Sequence, residues 1–217
     1  MMEVFQGFVF QTAAICAVIG YLLGNFQTAI VVSRRILKDD VRDHGSGNPG
    51  ATNMTRTFGT KWGLVTFAGD ALKCVLAVLL GRWMAGAWGL FPSDAALSVS
   101  TGGYMAGAFV VLGHCYPVIF RFKGGKGSAC TFAFMWINFP LAAAVVAVFA
   151  VIVYLFSKKI SLVSLTAAAL FCILCIAGSS VRPMLWLFAL MCLVLVVIRH
   201  KDNIKRLIAG TESTVDY

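Results

Sequence analysis

Long apolar runs alternate with short polar segments over most of this chain. Mainly apolar stretches cover residues 4–32, 62–80, 95–120, 128–156, 160–177 and 181–198. Most are close to the roughly 20 residues that a helix needs to cross the hydrocarbon core of a bilayer. A backbone in lipid must satisfy its own hydrogen bonds, which favours helices over open sheets. The pattern therefore predicts an all-α, polytopic transmembrane helical bundle.

The fourth apolar run, residues 128–156, contains Asn138 and Pro140 near its middle. Proline removes a backbone donor and clashes with the preceding helical turn. The run is therefore either one kinked span or two short helices that meet near Phe139. If it splits, the first part has about 12 residues, or roughly 18 Å of helix, which is short for a complete crossing.

Charge in the connecting loops decides between these alternatives. With residues 34–61 in the cytoplasm and six crossings, the cations at 158–159 and 199–206 would lie outside, against the positive-inside bias. Splitting the fourth run puts them in the cytoplasm, and the exceptions are then Arg82 and Arg182 outside and Lys73 within a span. We therefore predict about seven helices, with the N-terminus outside and the C-terminus cytoplasmic.

Composition agrees with a membrane protein and limits its size. Of 217 residues, 59% are hydrophobic and 12% are charged, and the mean hydropathy is +0.85. A soluble domain of this length normally carries more charge and less apolar character. After the spans are counted, no length remains for a second soluble domain, so residues 1–217 are predicted to form a single integral membrane domain.

Neither the net charge nor the cysteines indicate a further function. The charge of +9 is spread over short loops, where membrane orientation accounts for it, so nucleic acid is not expected as a partner. Most of the seven cysteines fall within spans, where the side chain acts as a small apolar group. Cys172 and Cys175 form a C-x-x-C, but no second pair or nearby histidine completes a zinc set, so no metal site is predicted.

The first polar segment, residues 45–56, contains G-x-G-x-x-G at Gly45, Gly47 and Gly50. A dinucleotide site is excluded because that fingerprint needs a βαβ unit around it. Glycines still allow successive amides to form an anion nest. Side-chain donors and a cation follow in the same segment: Ser46, Asn48, Thr52, Asn53 and Arg56. We predict a phosphate site here, and the alternative is a tight loop that caps the helix carrying Trp62.

The second polar segment, residues 113–127, surrounds Lys126 with Gly124, Gly125 and Gly127. It is not a Walker A motif, because Gly127 stands where Ser or Thr is needed. A lysine among glycines at the start of a helix favours an anion through both amides and helix dipole. Two further candidates for substrate binding in this segment are His114 and Lys123. A basic interfacial turn is the alternative interpretation.

The third polar segment, residues 199–206, follows the last span directly. If it is helical, His200 and Asn203 lie on one face at i and i+3. An imidazole and an amide together can position a hydroxyl or stabilise a carbonyl oxygen. A polybasic juxtamembrane tail is the alternative. Asp70 and Lys73 are also spaced at i and i+3, but they lie inside a span, where their charges should neutralise one another. A structural role for this pair is at least as well supported as a functional one.

These three segments together resemble the bacterial acyl-phosphate:glycerol-3-phosphate acyltransferases. The matching residues run in order: 46–53 with Arg56, then 113–114 and 123–127, then 199–200 with 203–204 and Arg206. The resemblance implies seven helices, an external N-terminus, a cytoplasm-facing site in the bacterial inner membrane, and neither metal nor coenzyme. One departure is visible at residues 128–131, where Ser-Ala-Cys-Thr replaces the expected Val-Ala-Thr.

The activity implied is transfer of a fatty acyl group from acyl phosphate to glycerol 3-phosphate, giving lysophosphatidic acid and phosphate, with membrane lipid around the site. The residues carried over as catalytic are Ser46, His200 and Asn203. Those carried over as substrate-binding are Gly47, Asn48, Thr52, Asn53, Arg56, His114, Lys123, Gly124, Gly125, Lys126 and Gly127. Direct attack is favoured over an acyl-Ser46 intermediate, because Ser46 has no G-x-S-x-G elbow around it.

Other interpretations remain open at this level. Thioester-dependent acyltransferases show His followed five residues later by Asp, whereas the histidines here are followed at that offset by Pro49, Ile119 and Lys205. A small transporter or channel for phosphate-bearing anions is the main competing class, and a lipid-binding scaffold is another. The sequence does not specify acyl chain length or an oligomeric partner.

Overall fold

A computed structural model describes residues 2–91 and 93–214, with side chains from residue 10 onward. The described chain is built from helices, joined by turns and two short 3-10 segments at Val41–Asp43 and Val118–Phe120. The α-helices in this part of the chain are α1 (Met2–Gly24), α2 (Thr28–Arg35), α3 (Ala51–Phe58), α4 (Thr60–Trp88), α5 (Ala95–Cys115), α6 (Ser128–Asn138), α7 (Pro140–Ser157), α8 (Ile160–Ala177), α9 (Leu185–Arg199) and α10 (Lys201–Ile208). The predicted all-α class is confirmed.

Five stretches among the described residues are long and apolar enough to cross a membrane: Phe10–Arg35, Thr60–Trp88, Ala95–Phe120, Pro140–Ser157 and Ile160–Ala177. Two shorter helices, α6 with 11 residues and α9 with 15, complete the bundle. A short helix can serve where neighbouring protein, rather than lipid, covers its ends. The number of crossings and their direction in the membrane stay predictions.

The predicted break in the fourth apolar run is confirmed. Helix α6 ends at Asn138 and α7 begins at Pro140, with Phe139 between them. Arg82 of α4 supports this corner, because its Nη2 donates to the Ile137 carbonyl at 2.8 Å and to Asn138 Oδ1 at 3.0 Å. A carbonyl at a helix end inside a membrane protein needs such a donor.

The first apolar run is also broken, which its pattern did not predict. Helix α1 ends at Gly24, and α2 begins only at Thr28. The ammonium of Lys73 donates to the carbonyls of Gly24 (3.3 Å) and Phe26 (2.5 Å) in the gap. A polar side chain from α4 therefore replaces hydrogen bonds that a continuous helix would have made itself.

Helices α1, α4 and α5 pack closely through small residues. A Cβ added at Gly102 of α5 would overlap the backbone oxygen of Gly81 on α4, and one added at Gly20 of α1 would overlap the carbonyl oxygen of Ala106 on α5. Small residues let helix backbones approach where no hydrophobic effect drives association in lipid. The first polar segment leads into this group of three helices at α4, and the second polar segment leaves it at the end of α5.

The turn between α7 and α8, residues 158–159, lies at the same end of the bundle as the three polar segments. Its neighbours Ile160 and Ser161 line the same cavity as Arg56 and Asn203. This arrangement requires α6 to run away from that end and α7 to return to it. It is the one expected if the fourth apolar run contributes two crossings.

Candidate active site

One cavity of about 350 Å³ gathers residues from all three polar segments. The predicted site residues that line it are Ser46, Asn48, Thr52, Asn53, Arg56, His114, Lys126, Gly127, His200 and Asn203. The cavity also includes Ser213, whose hydroxyl oxygen accepts a hydrogen bond from Arg56 Nη2 at 3.2 Å. These two residues are 157 positions apart in the sequence. The polar segments therefore meet at one place in the described structure.

Four predicted site residues lie outside the lining of this cavity. Gly47 is exposed in the turn that precedes α3, and its amide donates to the His44 carbonyl at 2.9 Å. Lys123 is exposed on the surface of the second segment. Gly124 and Gly125 are buried behind the cavity. The backbone of these glycines shapes the site from behind, and their binding roles stay predictions.

The first segment is a loop followed by a short helix, rather than loop throughout. Helix α3 begins at Ala51, so Asn53 and Arg56 sit on a helix. The Asn53 amide donates to the carbonyls of Val41 and His44, both at 3.0 Å, while its oxygen accepts from the Ser46 amide at 3.0 Å. Both ends of this side chain are used to fix the loop that carries Ser46. The contacts therefore support a positioning role for Asn53.

The second segment ends where α6 begins, as predicted, and Gly127 (φ +81°) is its N-cap. Lys126 stands just before this helix, and its Nζ donates to Asn203 Oδ1 at 2.5 Å. The pKa of Lys126 is lowered to about 8, mainly by burial; Glu212 opposes this shift, and the nearby cations Arg206 and Arg199 add to it. A cation that is partly desolvated among other cations is well suited to receive an anion.

The third segment turns at His200, between α9 and α10. Its Nδ1 lies 2.8 Å from the Val196 carbonyl, which assigns the ring proton to Nδ1 and leaves Nε2 as the acceptor. The ring is 3% exposed, and burial lowers its pKa to about 4. A neutral imidazole on the cavity wall can therefore accept a proton or orient a hydroxyl at neutral pH.

Glu212 is a site residue that the sequence interpretation missed. It lines the cavity and accepts hydrogen bonds from Asn203 Nδ2 (2.5 Å) and Arg206 Nε (2.7 Å). Burial alone would raise its pKa, but these hydrogen bonds outweigh burial and hold the pKa below its usual range. Glu212 thereby fixes Asn203, which in turn bonds Lys126. The signal in the sequence was an acid just after the basic end of α10.

An apolar limb extends from the polar end of the cavity between α6, α7 and α8. On α7 its lining residues share one helical face at i, i+3, i+4 and i+7, namely Ala143, Val146, Ala147 and Ala150. On the facing helices it is lined by Phe132, Met135, Trp136, Val163 and Ala167. A cavity with a cationic end and an apolar limb fits a ligand that has an anionic head and an alkyl chain.

Comparison with known proteins decides the family. A family model described as glycerol-3-phosphate acyltransferase matches residues 14–210. The chain belongs to the glycerol-3-phosphate acyltransferase family. The resemblance drawn from the three polar segments is confirmed, and the family match includes all three segments but ends before Glu212.

Curated family members cover nearly the whole chain. The glycerol-3-phosphate acyltransferase of Thermoanaerobacter pseudethanolicus is 37% identical over 202 residues, which cover 93% of this chain and 94% of that protein. The Alkaliphilus metalliredigens enzyme is 41% identical over 196 residues, covering 90% and 92% respectively.

Two solved structures share the fold. PlsY (YgiH), an integral membrane glycerol 3-phosphate acyltransferase, matches in its glycerol 3-phosphate form with a TM-score of 0.81 at 30% identity, over 94% of this chain and 96% of that one. Its lysophosphatidic acid form matches with a TM-score of 0.76 at 31% identity, over 94% and 95%. The family fold is therefore an integral membrane fold, as the apolar runs predicted.

Proposed function

We propose that this family member transfers a fatty acyl group from acyl phosphate to glycerol 3-phosphate, yielding lysophosphatidic acid and inorganic phosphate. The observation that carries the proposal is the single cavity in which cations of all three polar segments stand beside an apolar limb. The related PlsY structures are a glycerol 3-phosphate form and a lysophosphatidic acid form, which supports the same acceptor and product here. Such a reaction is the first acylation step of phospholipid synthesis.

The composition of the site favours acyl phosphate as the donor. Its acyl carbon is already activated, and its leaving group is phosphate. The enzyme then needs mainly to hold two anionic substrates together and to stabilise the oxyanion with positioned donors. Arg56 and Lys126 are the cations we assign to phosphate groups, with glycine-rich backbone around them. No His and Asp at the spacing used by thioester-dependent acyltransferases occurs in the chain.

Direct attack accounts for the reaction without a covalent enzyme intermediate. The glycerol hydroxyl oxygen bonds to the acyl carbon, and the bond between that carbon and the phosphate oxygen breaks. The hydroxyl proton passes through His200 Nε2 to the departing phosphate, so charge and atoms balance. Ser46 and Asn203 align the hydroxyl and the acyl carbonyl. The tautomer of His200 supports this role, because its Nδ1 is engaged by Val196.

The apolar limb is where we place the acyl chain. Its walls on α6, α7 and α8 continue directly from the polar end that holds Lys126 and His200. We further propose that this end faces the cytoplasm of a bacterial inner membrane, in agreement with the distribution of cations. Both substrates would then meet at the membrane surface, the acyl chain from the lipid side and glycerol 3-phosphate from water.

Acyl transfer by purified protein tests the proposal. Long-chain acyl phosphate and glycerol 3-phosphate are supplied without metal or thioester, and lysophosphatidate and phosphate release are followed. We expect Ser46→Ala, Lys126→Ala and Asn203→Ala each to lower kcat/KM by about 100-fold or more, as loss of a positioned donor or cation does. Lys205→Ala is the matched control, because Lys205 is exposed on the same helix as Asn203. Near wild-type rates for the three cavity variants would rule out the assignment.

A separate incubation distinguishes direct attack from an acyl-enzyme. Protein exposed to labelled acyl phosphate alone should carry no protein-bound acyl group after denaturation. Label that is retained by the wild type and lost in Ser46→Ala would instead establish an acyl-Ser46 intermediate.

A further inference from the structure

A buried polar network joins α4 to His114, near the start of the second polar segment. Asp70 and Lys73 of α4 and His114 of α5 are 2%, 5% and 3% exposed. Lys73 Nζ lies 3.0 Å from Asp70 Oδ1 and 2.9 Å from His114 Nδ1. Thr28 of α2 donates its hydroxyl to Asp70 Oδ1 at 3.1 Å. We call these three residues the Asp70–Lys73–His114 network.

The chemistry of this network fixes the protonation of His114. An ammonium has donors and no lone pair, so Lys73 can only donate to His114 Nδ1. The ring proton of a neutral imidazole must then be on Nε2. With one carboxylate, one ammonium and a neutral imidazole, the network carries no net charge, which is what burial within a membrane bundle requires.

Stability alone is a weak explanation for such a network. A buried ion pair contributes little compared with apolar side chains of similar volume, whereas removing one partner is costly. The network must therefore be considered with what it contacts. Asp70 and His114 also line the cavity, and the Lys73 ammonium fastens the gap between α1 and α2 through the Gly24 and Phe26 carbonyls.

His114 is the surface on which the glycine loop rests. Its carbonyl accepts hydrogen bonds from the Gly125 amide at 3.0 Å and from Gln27 Nε2 at 3.1 Å. A Cβ at Gly125 would overlap His114 Nε2, and one at Gly124 would overlap the His114 carbonyl oxygen. The ring and backbone of His114 are therefore in closest contact with the two residues that precede Lys126.

The opposite side of the same loop is held by Arg199 of α9. Its guanidinium donates to the carbonyls of Gly124 (2.7 Å) and Gly125 (3.0 Å) and stacks over Tyr116 at 5.3 Å from the ring centroid. The loop is thus clamped between His114 and Arg199. A change in the tilt of the His114 ring would move the backbone that sets the position of Lys126.

We propose that the Asp70–Lys73–His114 network positions Lys126 for phosphate binding by holding His114 in one tautomer and one orientation. Asp70 and Lys73 are positioning residues that act through His114 and the glycine loop. The proposal rests on the proposed function only in taking Lys126 as a phosphate ligand. A purely structural role predicts that stability and affinity for glycerol 3-phosphate change together. A positioning role predicts that affinity stays low when charge compensation, and with it stability, is restored.

The experiment measures binding of glycerol 3-phosphate by calorimetry, and melting temperature, on purified protein without any acyl donor. Asp70→Asn and Lys73→Met each leave one buried charge uncompensated, so both should lower the melting temperature. The double variant Asp70→Leu/Lys73→Met has no unpaired charge, and it has no amide near His114 Nδ1, from which Asp70 Oδ1 lies 3.7 Å, so it should regain part of that loss. It still lacks the donor to His114 Nδ1, so we expect its dissociation constant to stay raised by about tenfold or more.

Two further variants sharpen the comparison. His114→Gln can accept from Lys73 and still present a donor, so its affinity should lie nearer the wild type than that of His114→Leu. Thr66→Val is the matched control, because the Thr66 hydroxyl is buried on the same helix with no hydrogen-bond partner among the described residues. This control should leave the dissociation constant unchanged.

The outcomes separate the two proposals. If affinity recovers together with stability in the double variant, the network is structural glue and the inference is overturned. Wild-type protein that binds glycerol 3-phosphate but transfers no acyl group from acyl phosphate would overturn the proposed donor and leave the network proposal standing. Wild-type protein that does not bind glycerol 3-phosphate would overturn both.

Discussion

Single residues in the cavity are set by the partners that burial gives them. Lys126 loses hydration and shares its surroundings with Arg206 and Arg199, which is why its pKa falls to about 8. The buried ring of His200 is neutral near pH 7, because burial lowers its pKa to about 4. Two groups of the same cavity therefore differ in charge at neutral pH, as the proposed roles of Lys126 toward phosphate and of His200 toward a proton require.

The charge state of Lys126 predicts a dependence of substrate capture on pH. In the proposed function the protonated ammonium binds phosphate, so kcat/KM for glycerol 3-phosphate should fall as pH rises through about 8. Lys126→Arg should remove this dependence between about pH 7 and pH 9, because a guanidinium stays charged. Initial rates at low substrate concentration across that range make the comparison. Wild-type and Lys126→Arg profiles of the same shape would assign the dependence to another group.

At the scale of elements, helix breaks position the site as much as helices do. The corner between α6 and α7 is held by Arg82, and the gap between α1 and α2 by Lys73. The corner between α6 and α7 directs α7 so that the small residues on one face of α7 form a wall of the apolar limb. Small side chains on that face leave space that larger ones would fill.

That wall predicts where acyl chain length is limited. If the limb holds the acyl chain as proposed, Ala147→Phe should narrow it and move the preference toward shorter acyl phosphates, since each methylene that no longer fits costs about 1–3 kcal/mol of discrimination. Comparing kcat/KM for a series of acyl phosphates measures the change. Val148→Phe is the control, because Val148 on the same helix is 64% exposed on the outer surface of the bundle. An unchanged chain-length profile in Ala147→Phe would place the acyl chain elsewhere.

At the scale of the whole molecule, the bundle brings its cationic loops to one end. The turn between α7 and α8 lies at that end with the three polar segments. The turns before α5 and before α9 lie at the other end, with Arg82 and Arg182. The second cavity, at that far end, is lined by Arg82 and Arg182. This separation agrees with the orientation predicted from charge.

Labelling from the two sides of the membrane tests that orientation. The native cysteines among the described residues are all buried, so a cysteine introduced at a surface turn should dominate reaction with an impermeant maleimide. We expect Ser93→Cys to react in intact spheroplasts and Lys158→Cys to react only after permeabilisation. Reaction of Lys158→Cys from outside would contradict seven crossings with an external N-terminus.

Several features were available from local sequence. Apolar runs predicted the helices, and Pro140 beside Asn138 predicted the break at Phe139, because proline and span length act within a few residues. Glycines before Ser128 predicted the helix start beside Lys126. The same reasoning missed α3, since its polar residues read equally well as loop.

Other features depended on contacts between distant parts of the chain. The sequence alone determined that the chain is an all-α membrane protein and, through the three polar segments together, which family it belongs to. Only the tertiary structure decided three contacts: His114 pairs with Lys73 of the Asp70–Lys73 pair, the Asn53 amide donates within its own loop, and Glu212 accepts from Asn203 of the third segment. The physical reason is range: hydrophobicity, propensity and loop charge act locally, whereas the partner of a buried polar group is chosen by how whole helices pack.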